Sequence, residues 1–251
     1  MSRTIRSLLI LVASIVVVHL VYTGFIRPEA EMAIEAARQL GQTSPRIWVV
    51  ILKDYEQEIC LILMLWGVYL IVEKLVVLSS ERYLFSVDFL EKSSDDHQGM
   101  SEALEALDGL PQKVRETPLV KTLAASLRRY LITRDIQSTA DAIQASVEAL
   151  AHRLEAENSM IRYLIWAIPS IGFIGTVRGI GQALSQADQA LAGDISGMTD
   201  SLGVAFNSTF VALMISIVLM FLLHQLQRLQ DASVVETQAY CEKFLLARIE
   251  N

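Results

Sequence analysis

The sequence predicts an all-α, polytopic membrane protein with four transmembrane helices and long helices extending into the cytoplasm. Of the 251 residues, 53% are hydrophobic and only 20% are charged, which is too apolar for an ordinary soluble protein. Four apolar segments, residues 8–26, 59–78, 163–184 and 202–223, reach or approach the roughly 20 helical residues that cross a hydrocarbon core. We therefore expect much of the chain to lie in lipid.

The first apolar segment follows Arg3 and Arg6, which is also how a cleaved signal peptide begins. Its apolar run is long, however, and Tyr22, Thr23 and Phe25 beyond it offer no small-x-small cleavage site. We interpret this segment as a signal anchor that stays in the protein.

Charge asymmetry predicts the orientation of the spans. Residues 80–160 contain nine Lys and Arg residues, whereas the connection between the third and fourth segments carries Asp188, Asp194 and Asp200 without any Lys or Arg. By the positive-inside rule, both termini and the large loop lie in the cytoplasm of a bacterial cell, and the short acidic loop lies outside the inner membrane. Residues 27–58, which contain four basic residues, are then external.

This orientation divides the chain into five regions. They are an N-terminal anchor with an external segment (1–58), a second span (59–79), a cytoplasmic helical region (80–160), a pair of spans (161–224) and a C-terminal amphipathic helix (225–251). The buried stripe expected for the last region consists of Leu226, Leu229, Val234, Phe244 and Leu245.

Heptad spacing predicts a long helix in the cytoplasmic region. Apolar residues alternate at spacings of four and three from Ile136 to Leu154, and Ile161 continues the pattern. No Pro or Gly occurs between residues 136 and 168, so we expect one uninterrupted helix that packs within the chain as part of a hairpin; a separate coiled-coil partner is the alternative. Turn residues at 93–99 and 108–111 predict breaks between shorter helices.

Several classes of function are excluded by composition and spacing. A net charge of −7 without a basic cluster argues against a nucleic-acid partner. Cys60 and Cys241 are too few for a disulfide framework or a Cys-based metal site. Four scattered His residues and the lack of any nucleophile, metal-ligand or phosphate-loop spacing predict no enzyme activity and no cofactor.

The third span is unusually rich in glycine. Gly175 and Gly179 form a GxxxG pair and Gly172 precedes them, so one face of the helix is smooth enough for close helix packing. Pro169 removes one backbone hydrogen bond, which bends the helix or leaves a carbonyl free.

The fourth span carries Asn207, Ser208 and Thr209 in an otherwise apolar helix. Counted from the cytoplasmic edge, Thr209 and Thr176 of the third span both lie at a depth of about 21 to 22 Å, since a helix rises about 1.5 Å per residue. The two hydroxyls either face each other at one level or each bond the carbonyl four residues earlier in its own helix.

The two spans together resemble the paired signature of the MotA/TolQ/ExbB proton channel family. The residues that carry the resemblance are Pro169, Gly172, Gly175, Thr176, Val177, Gly179 and Ile180, followed by Gly203, Ala205, Phe206, Thr209, Ala212 and Leu213. The resemblance implies a homopentamer around two single-span helices of a MotB/TolR/ExbD-like partner, with Thr176 and Thr209 lining the pore, Pro169 bending the third span, and Gly203 and Ala205 in helix packing. Val204 departs from the ExbB and TolQ pattern, in which a glutamate precedes the second threonine by one turn.

The expected mechanism follows from the lack of ionisable groups. Residues 163–184 and 202–223 contain no Asp, Glu or His, so we expect an aspartate of the partner to carry the ion. Thr176, Asn207, Ser208 and Thr209 then solvate it. Protons are the expected ion and sodium is the alternative.

Three other ionisable residues lie in or near the spans. His19 and the Glu73–Lys74 pair lie near span ends, where we expect snorkelling to the interface. Arg178 either anchors the third span at the outer interface or forms a positive mouth opposed by Asp188 or Asp200.

The sequence does not identify the process that such a motor would drive. Arg128, Arg129 and Arg134 would suit contact with a rotor, but exposed Arg on a helix is usually just solvated. A structural membrane scaffold without ion conduction is the competing class.

Overall fold

The computed structural model describes residues 3–40, 44–90 and 97–249. These residues form helices and connecting turns, with no strand among them. The α-helices are α1 (Arg3–Val21), α2 (Arg27–Gln39), α3 (Trp48–Leu52), α4 (Tyr55–Glu81), α5 (His97–Asp108), α6 (Gln112–Arg115), α7 (Pro118–Thr133), α8 (Ile136–Glu157), α9 (Ser159–Ser185), α10 (Ala187–Leu191), α11 (Ser196–Cys241) and α12 (Ala247–Ile249). π-helical turns at Tyr22–Ile26 and Glu242–Leu246 and a 3₁₀ turn at Arg82–Ser86 connect neighbouring helices.

Four helical stretches in the described part of the chain are long and apolar enough to cross a membrane, which confirms the predicted all-α, four-span fold. They are Ile5–Gln39, Tyr55–Ser86, Ile136–Ser185 and Ser196–Ile249. A continuous helix suits lipid because it satisfies its backbone hydrogen bonds internally. The second stretch begins at Tyr55 rather than at the expected residue 59, so Glu56, Gln57 and Glu58 belong to its first turn.

The chain divides into two compact units. The first unit comprises residues 1–72 and 160–224 and contains the cores of all four spans. In it, Trp66 of α4 donates a hydrogen bond to Ser7 of α1 at 3.0 Å. Val18, Tyr22 and Ile26 form a buried cluster against Leu61 and Ile62, so the first span packs against the second.

The second unit comprises residues 73–159 and 225–249 of the described chain. Helices α7 and α8 pack as a hairpin, with Leu123, Leu127, Ile143 and Val147 in a common core. This confirms that the heptad seam serves packing within the chain. Asp135 caps α8 by accepting a hydrogen bond from the backbone N–H of Ser138 at 2.8 Å.

The predicted helix over residues 136–168 is present as part of one helical stretch, Ile136–Ser185, with a single turn residue at Asn158. Asn158 separates α8 from α9, and its side-chain amide donates to Gln230 Oε1 at 2.7 Å. The side chain of Asn competes with the helix for local hydrogen bonds, so Asn favours turns and helix ends. The helix propensity of Asn158 could therefore have indicated a turn at this position.

Other details of the second unit differ in part from expectation. The break at 108–111 is present between α5 and α6. Residues 93–96 of the other expected break lie outside the described residues, and residues 97–99 are helical. In the C-terminal stripe, Leu226 and Leu245 are fully buried, but Leu229 is 47% exposed and Tyr240 is buried instead. Lys74 does not simply snorkel, since it pairs with Glu157 at 3.1 Å.

Candidate functional site

Helices α9 and α11 approach each other closely along the glycine face predicted for α9. A Cβ atom added to Gly172 would lie 2.5 Å from the Cβ of Ala212, and one added to Gly179 would lie 2.7 Å from the backbone nitrogen of Ala205. Both distances are shorter than real Cβ contacts allow, so only glycine permits this approach. Ala205 is fully buried against Gly179, as expected for a packing residue.

Gly203 does not share this role. A Cβ at Gly203 would meet nothing within 4 Å, so Gly203 makes no close helix contact within the protomer, and its role in helix packing stays a prediction. Gly203 lies on another side of α11 from Ala205, because residues two apart on a helix do not share a face.

Pro169 lies inside α9, where it leaves the carbonyl of Ile165 without its usual donor. The hydroxyl of Ser216 on α11 donates to this oxygen at 2.9 Å. The free carbonyl expected from the sequence is thus present, and it is satisfied by the neighbouring span.

Thr176 and Thr209 bring their hydroxyl groups into direct contact between α9 and α11. Thr176 Oγ1 donates to the carbonyl of Ala205 at 3.0 Å, and Thr209 Oγ1 donates to the carbonyl of Gly172 at 3.2 Å. Each hydroxyl therefore bonds across the helix pair, although Thr176 also lies 3.4 Å from its own i−4 carbonyl at Gly172. The prediction that the two hydroxyls lie at one level is confirmed.

The other two polar residues of the fourth span point to different surroundings. Ser208 is 1% exposed, and its hydroxyl donates to its own i−4 carbonyl at Val204, 2.8 Å away. The side-chain amide of Gln57 donates to the same hydroxyl oxygen at 3.4 Å. Asn207 lines a cavity of about 640 Å³ on another side of α11.

The first turn of α4 places three consecutive polar residues in the interior. Glu56, Gln57 and Glu58 are 8%, 1% and 6% exposed, respectively. Buried carboxylates are stable only when paired. Glu58 forms an ion pair with the guanidinium of Arg27 and lies within hydrogen-bond distance of His19 Nδ1, at 2.7 Å, so a carboxylate of α4 holds the side chain of His19.

Glu56 is paired with Arg178 of α9. Arg178 Nη2 donates to Glu56 Oε2 at 2.8 Å and lies 3.8 Å from Asp54 Oδ1. The alternative to an interfacial anchor for Arg178 was a mouth opposed by Asp188 or Asp200. Neither acid forms an ion pair with Arg178 among the described residues, and Asp200 accepts a hydrogen bond from Ser44 at 2.7 Å.

The carboxyl group of Asp54 is buried and has a raised pKa. Burial raises its pKa above the ordinary value, although the positive charges of Lys53 and Arg178 act in the opposite direction. Its Oδ2 atom is buried and has no hydrogen-bond partner within the described part of the chain. The ionised form of Asp54 is therefore only partly compensated.

The cavity joins these groups to the fourth span. Its lining includes Lys53, Asp54 and Arg178 at one side and Asp200 and Asn207 at the other. It is thus a charged vestibule at the same end of the first unit as the buried turn of α4. We call it the charged cavity below.

The sequence patterns did not predict that Asp54, Glu56 and Gln57 lie next to the two signature spans. The available signal was the run of charged and polar residues at 53–58 immediately before an apolar segment. Such a run resembles an ordinary solvated flank, and only the fold shows that helix α4 begins early enough to bury it.

A helical membrane protein with four candidate spans, two of them packed through a glycine face with hydroxyls at their contact, defines the class of polytopic channel or energiser subunits. The model of the MotA/TolQ/ExbB proton channel family matches residues 114–239, about half of the chain, and the protein belongs to this family. The family is one of membrane channels rather than enzymes. No curated protein and no solved structure matches the chain.

Proposed function

We propose that this chain is the ion-conducting subunit of an inner-membrane motor driven by the proton-motive force. Five copies surround two single-span helices of a MotB/TolR/ExbD-like partner and convert ion flow into movement of that partner. The observation that carries the proposal is the hydroxyl contact between Thr176 and Thr209 across α9 and α11. Both helices lie within the region that matches the family, and hydroxyl oxygens give an ion a polar route that an apolar helix pair lacks.

The ion carrier in this proposal is an aspartate on the partner's single span. Residues 163–184 and 202–223 provide no carboxylate of their own. Thr176, Thr209, Ser208 and Asn207 provide the oxygen atoms that solvate the ion while it is exchanged. Arg178 and Asp200, which both line the charged cavity, form the mouth through which ions enter.

The outer faces of α9 and α11 support an assembly of several subunits. Trp166, Phe173, Phe206 and Phe210 are each more than half exposed in the protomer. Side chains of this size are favourable only against lipid or other apolar helices. We propose that neighbouring copies and the partner cover part of this surface and that lipid covers the rest.

The proposed orientation places both termini, residues 80–160 and residues 225–251 in the cytoplasm, and the connection between α9 and α11 outside. The nine basic residues of the large loop and the acidic, Lys- and Arg-free connection support it. Cysteine accessibility at exposed Asp194 and exposed Glu148 would test it. Reaction of both with a membrane-impermeant reagent in intact spheroplasts would contradict it.

Protons are the proposed ion, and sodium is the alternative. Hydroxyl and amide oxygens ligate sodium without titrating, whereas a proton route requires only water and the partner's carboxylate. Flux measured in sodium-free buffer, and then with sodium added at constant pH, separates the two.

A structural scaffold without conduction is the second candidate. It is favoured by one observation, namely that the hydroxyls of Thr176 and Thr209 are satisfied by backbone carbonyls and thereby hold the helices together. A scaffold would tolerate replacement of both threonines by valine.

The deciding experiment is purification of the tagged subunit in mild detergent followed by native mass spectrometry. We expect five copies with two copies of a single-span protein that has an intramembrane Asp, and ion flux when this complex is placed in liposomes. A monomer or dimer without such a partner, or a complex without flux, would favour the scaffold.

A further inference from the structure

The side chain of Glu56 approaches the α9–α11 contact next to Gly175 and Ser208. Its Cγ atom lies 3.1 Å from the point that a Cβ of Gly175 would occupy, and the hydroxyl of Ser208 lies 2.5 Å from the same point. The missing side chain of Gly175 therefore makes room for Glu56 and Ser208 to meet. Glu56 is an acid that reaches the α9–α11 contact from a third helix.

Only one of the two carboxylate oxygens of Glu56 accepts a hydrogen bond within the described residues. Its Oε2 accepts a hydrogen bond from Arg178, whereas no hydrogen bond to Oε1 occurs within the described residues. Gln57, the next residue, is 1% exposed, and its Oε1 atom also has no partner there. The Gln57 side chain contacts the Ser208 hydroxyl, so an acceptor oxygen without a donor lies near this hydroxyl, which suits a cation or a water that carries a proton.

Arg178 has a second acceptor within reach. Its Nε atom is buried without a partner, and so is Oδ2 of Asp54, while the closest charged atoms of the two residues are 3.8 Å apart. A buried donor and a buried acceptor that are both unsatisfied each cost free energy. Asp54 therefore offers the guanidinium of Arg178 a second anionic acceptor close to the one that it bonds at Glu56.

We infer that Glu56 is the cation site of the subunit itself and that Arg178 is a latch that closes it. In the structure, Arg178 bonds the carboxylate of Glu56. In the proposed open state, Arg178 bonds Asp54 instead, and the Glu56 carboxylate is free to bind a cation near Ser208. The inference rests on the proposed function, since it requires that a cation passes this point. It adds a titratable group that residues 163–184 and 202–223 lack.

The exchange is balanced in charge. A hydronium ion from the charged cavity gives its proton to the Glu56 carboxylate and leaves a water molecule, while the guanidinium moves to Asp54. The proton then leaves Glu56 for a water molecule beside Ser208, and Arg178 returns. With sodium as the cargo, the ion itself binds between the carboxylate and the uncharged oxygens. The charged groups nearest to Glu56 in the described structure are Arg178, Asp54 and Lys53. Glu58 lies two residues later on α4, where it contacts Arg27 of α2 and His19 of α1.

The test measures ion flux per assembled complex of the full subunit with its partner in liposomes. We expect Glu56→Gln to reduce flux at least tenfold and Glu56→Asp to retain it with a changed half-saturating ion concentration. Because Glu56→Gln leaves Arg178 poorly paired, the double variant Glu56→Gln with Arg178→Gln is also needed. It removes both charges and should recover thermal stability without recovering flux.

Recovery of flux in the double variant would show that the pair is only structural and would overturn the inference. Normal flux in Glu56→Gln would do the same. For the latch, Asp54→Asn should lower flux because Arg178 loses its second negatively charged partner; unchanged flux in that variant contradicts the latch. The matched control is Glu58→Gln, which removes an equally buried carboxylate paired with Arg27 and should lower thermal stability while flux per complex is kept.

These outcomes are separable from failure of the proposed function. If wild-type complexes conduct and depend on the partner's aspartate while Glu56→Gln conducts normally, the proposed function stands and this inference falls. If wild-type complexes do not conduct, the proposed function itself fails. Repeating the assay in sodium-free buffer shows whether the site takes protons or sodium.

Discussion

The hydroxyl of Ser216 on α11 donates a hydrogen bond to the carbonyl of Ile165 on α9, four residues before Pro169. A proline in a membrane helix is tolerated when a neighbouring helix satisfies the carbonyl that it frees. Ser216 is 6% exposed, so water does not easily replace it. This contact couples the two signature helices at a level closer to the start of α9 than the threonine pair.

Replacing Ser216 by Ala should therefore destabilise the protein by about 1 kcal/mol, the usual value for a hydrogen bond between membrane helices. In a Pro169→Ala background the restored N–H bonds Ile165, and the same replacement should cost clearly less. A double-mutant cycle on the midpoint of thermal unfolding in detergent measures the difference. Equal costs in both backgrounds would mean that Ser216 does not act through the carbonyl freed by the proline.

Two glycines of α9 provide a matched pair. Gly179→Ala forces a methyl group to within 2.7 Å of backbone atoms of Ala205 and Ser201, and should cost about 1–3 kcal/mol as the helices separate. Gly181→Ala meets no described atom within 4 Å and should be neutral or stabilising by up to about 1 kcal/mol, because alanine favours helix. Thermal unfolding of both purified variants tests this. Similar losses in both would indicate that the glycines matter for something other than the α9–α11 contact.

The threonine pair can be tested by shape-conserving changes. Thr209→Val removes the hydroxyl but keeps the volume, and we expect ion flux of the assembled complex to fall about tenfold or more, which corresponds to about 1.4 kcal/mol in the barrier. Thr209→Ser keeps the hydroxyl and should retain most of the flux. Thr176→Val and Thr176→Ser should behave in the same way. Full flux in both valine variants, with assembly unchanged, would support the scaffold.

The raised pKa of Asp54 predicts that the stability of the folded protein depends on pH. Because its pKa is raised in the folded protein, the folded state binds this proton more tightly than the unfolded chain does. The associated stability is present below the unfolded pKa and is lost as the pH rises through the raised folded pKa. Asp54→Asn removes this loss, so the variant should unfold at a higher temperature than wild type at neutral pH.

At about pH 4, near the ordinary pKa of an aspartate, the gain from Asp54→Asn should shrink or disappear. Thermal unfolding in detergent at the two pH values provides the measurement. Asp200→Asn is a suitable control, because Asp200 also lines the charged cavity but already accepts a hydrogen bond from Ser44. A stabilising effect of Asp54→Asn that is larger in acid than at neutral pH would contradict the assigned sign.

Local properties of the sequence were sufficient for the spans and for the α9–α11 contact. Hydropathy and length predict the four spans, since lipid imposes the same requirement on every segment that crosses it. The glycine face, the freed carbonyl near Pro169 and the common level of Thr176 and Thr209 follow from helix geometry within two neighbouring segments. Helical periodicity also predicts that the seam over residues 136–154 packs within the chain, but it does not identify α7 as the partner helix.

Only the tertiary structure decides which charges meet. Arg178 and Glu56 are 122 residues apart in the chain, and nothing in either local pattern distinguishes this pairing from one with Asp188 or Asp200. The same holds for Asn158, which meets Gln230 across 72 residues. Apolar patterns repeat along a segment and can be read from it, whereas a buried ion pair depends on two side chains that packing brings together. The sequence by itself therefore determines the membrane helices and the common level of two hydroxyls on them. The fold determines that these hydroxyls touch and which charged group lies near their helices.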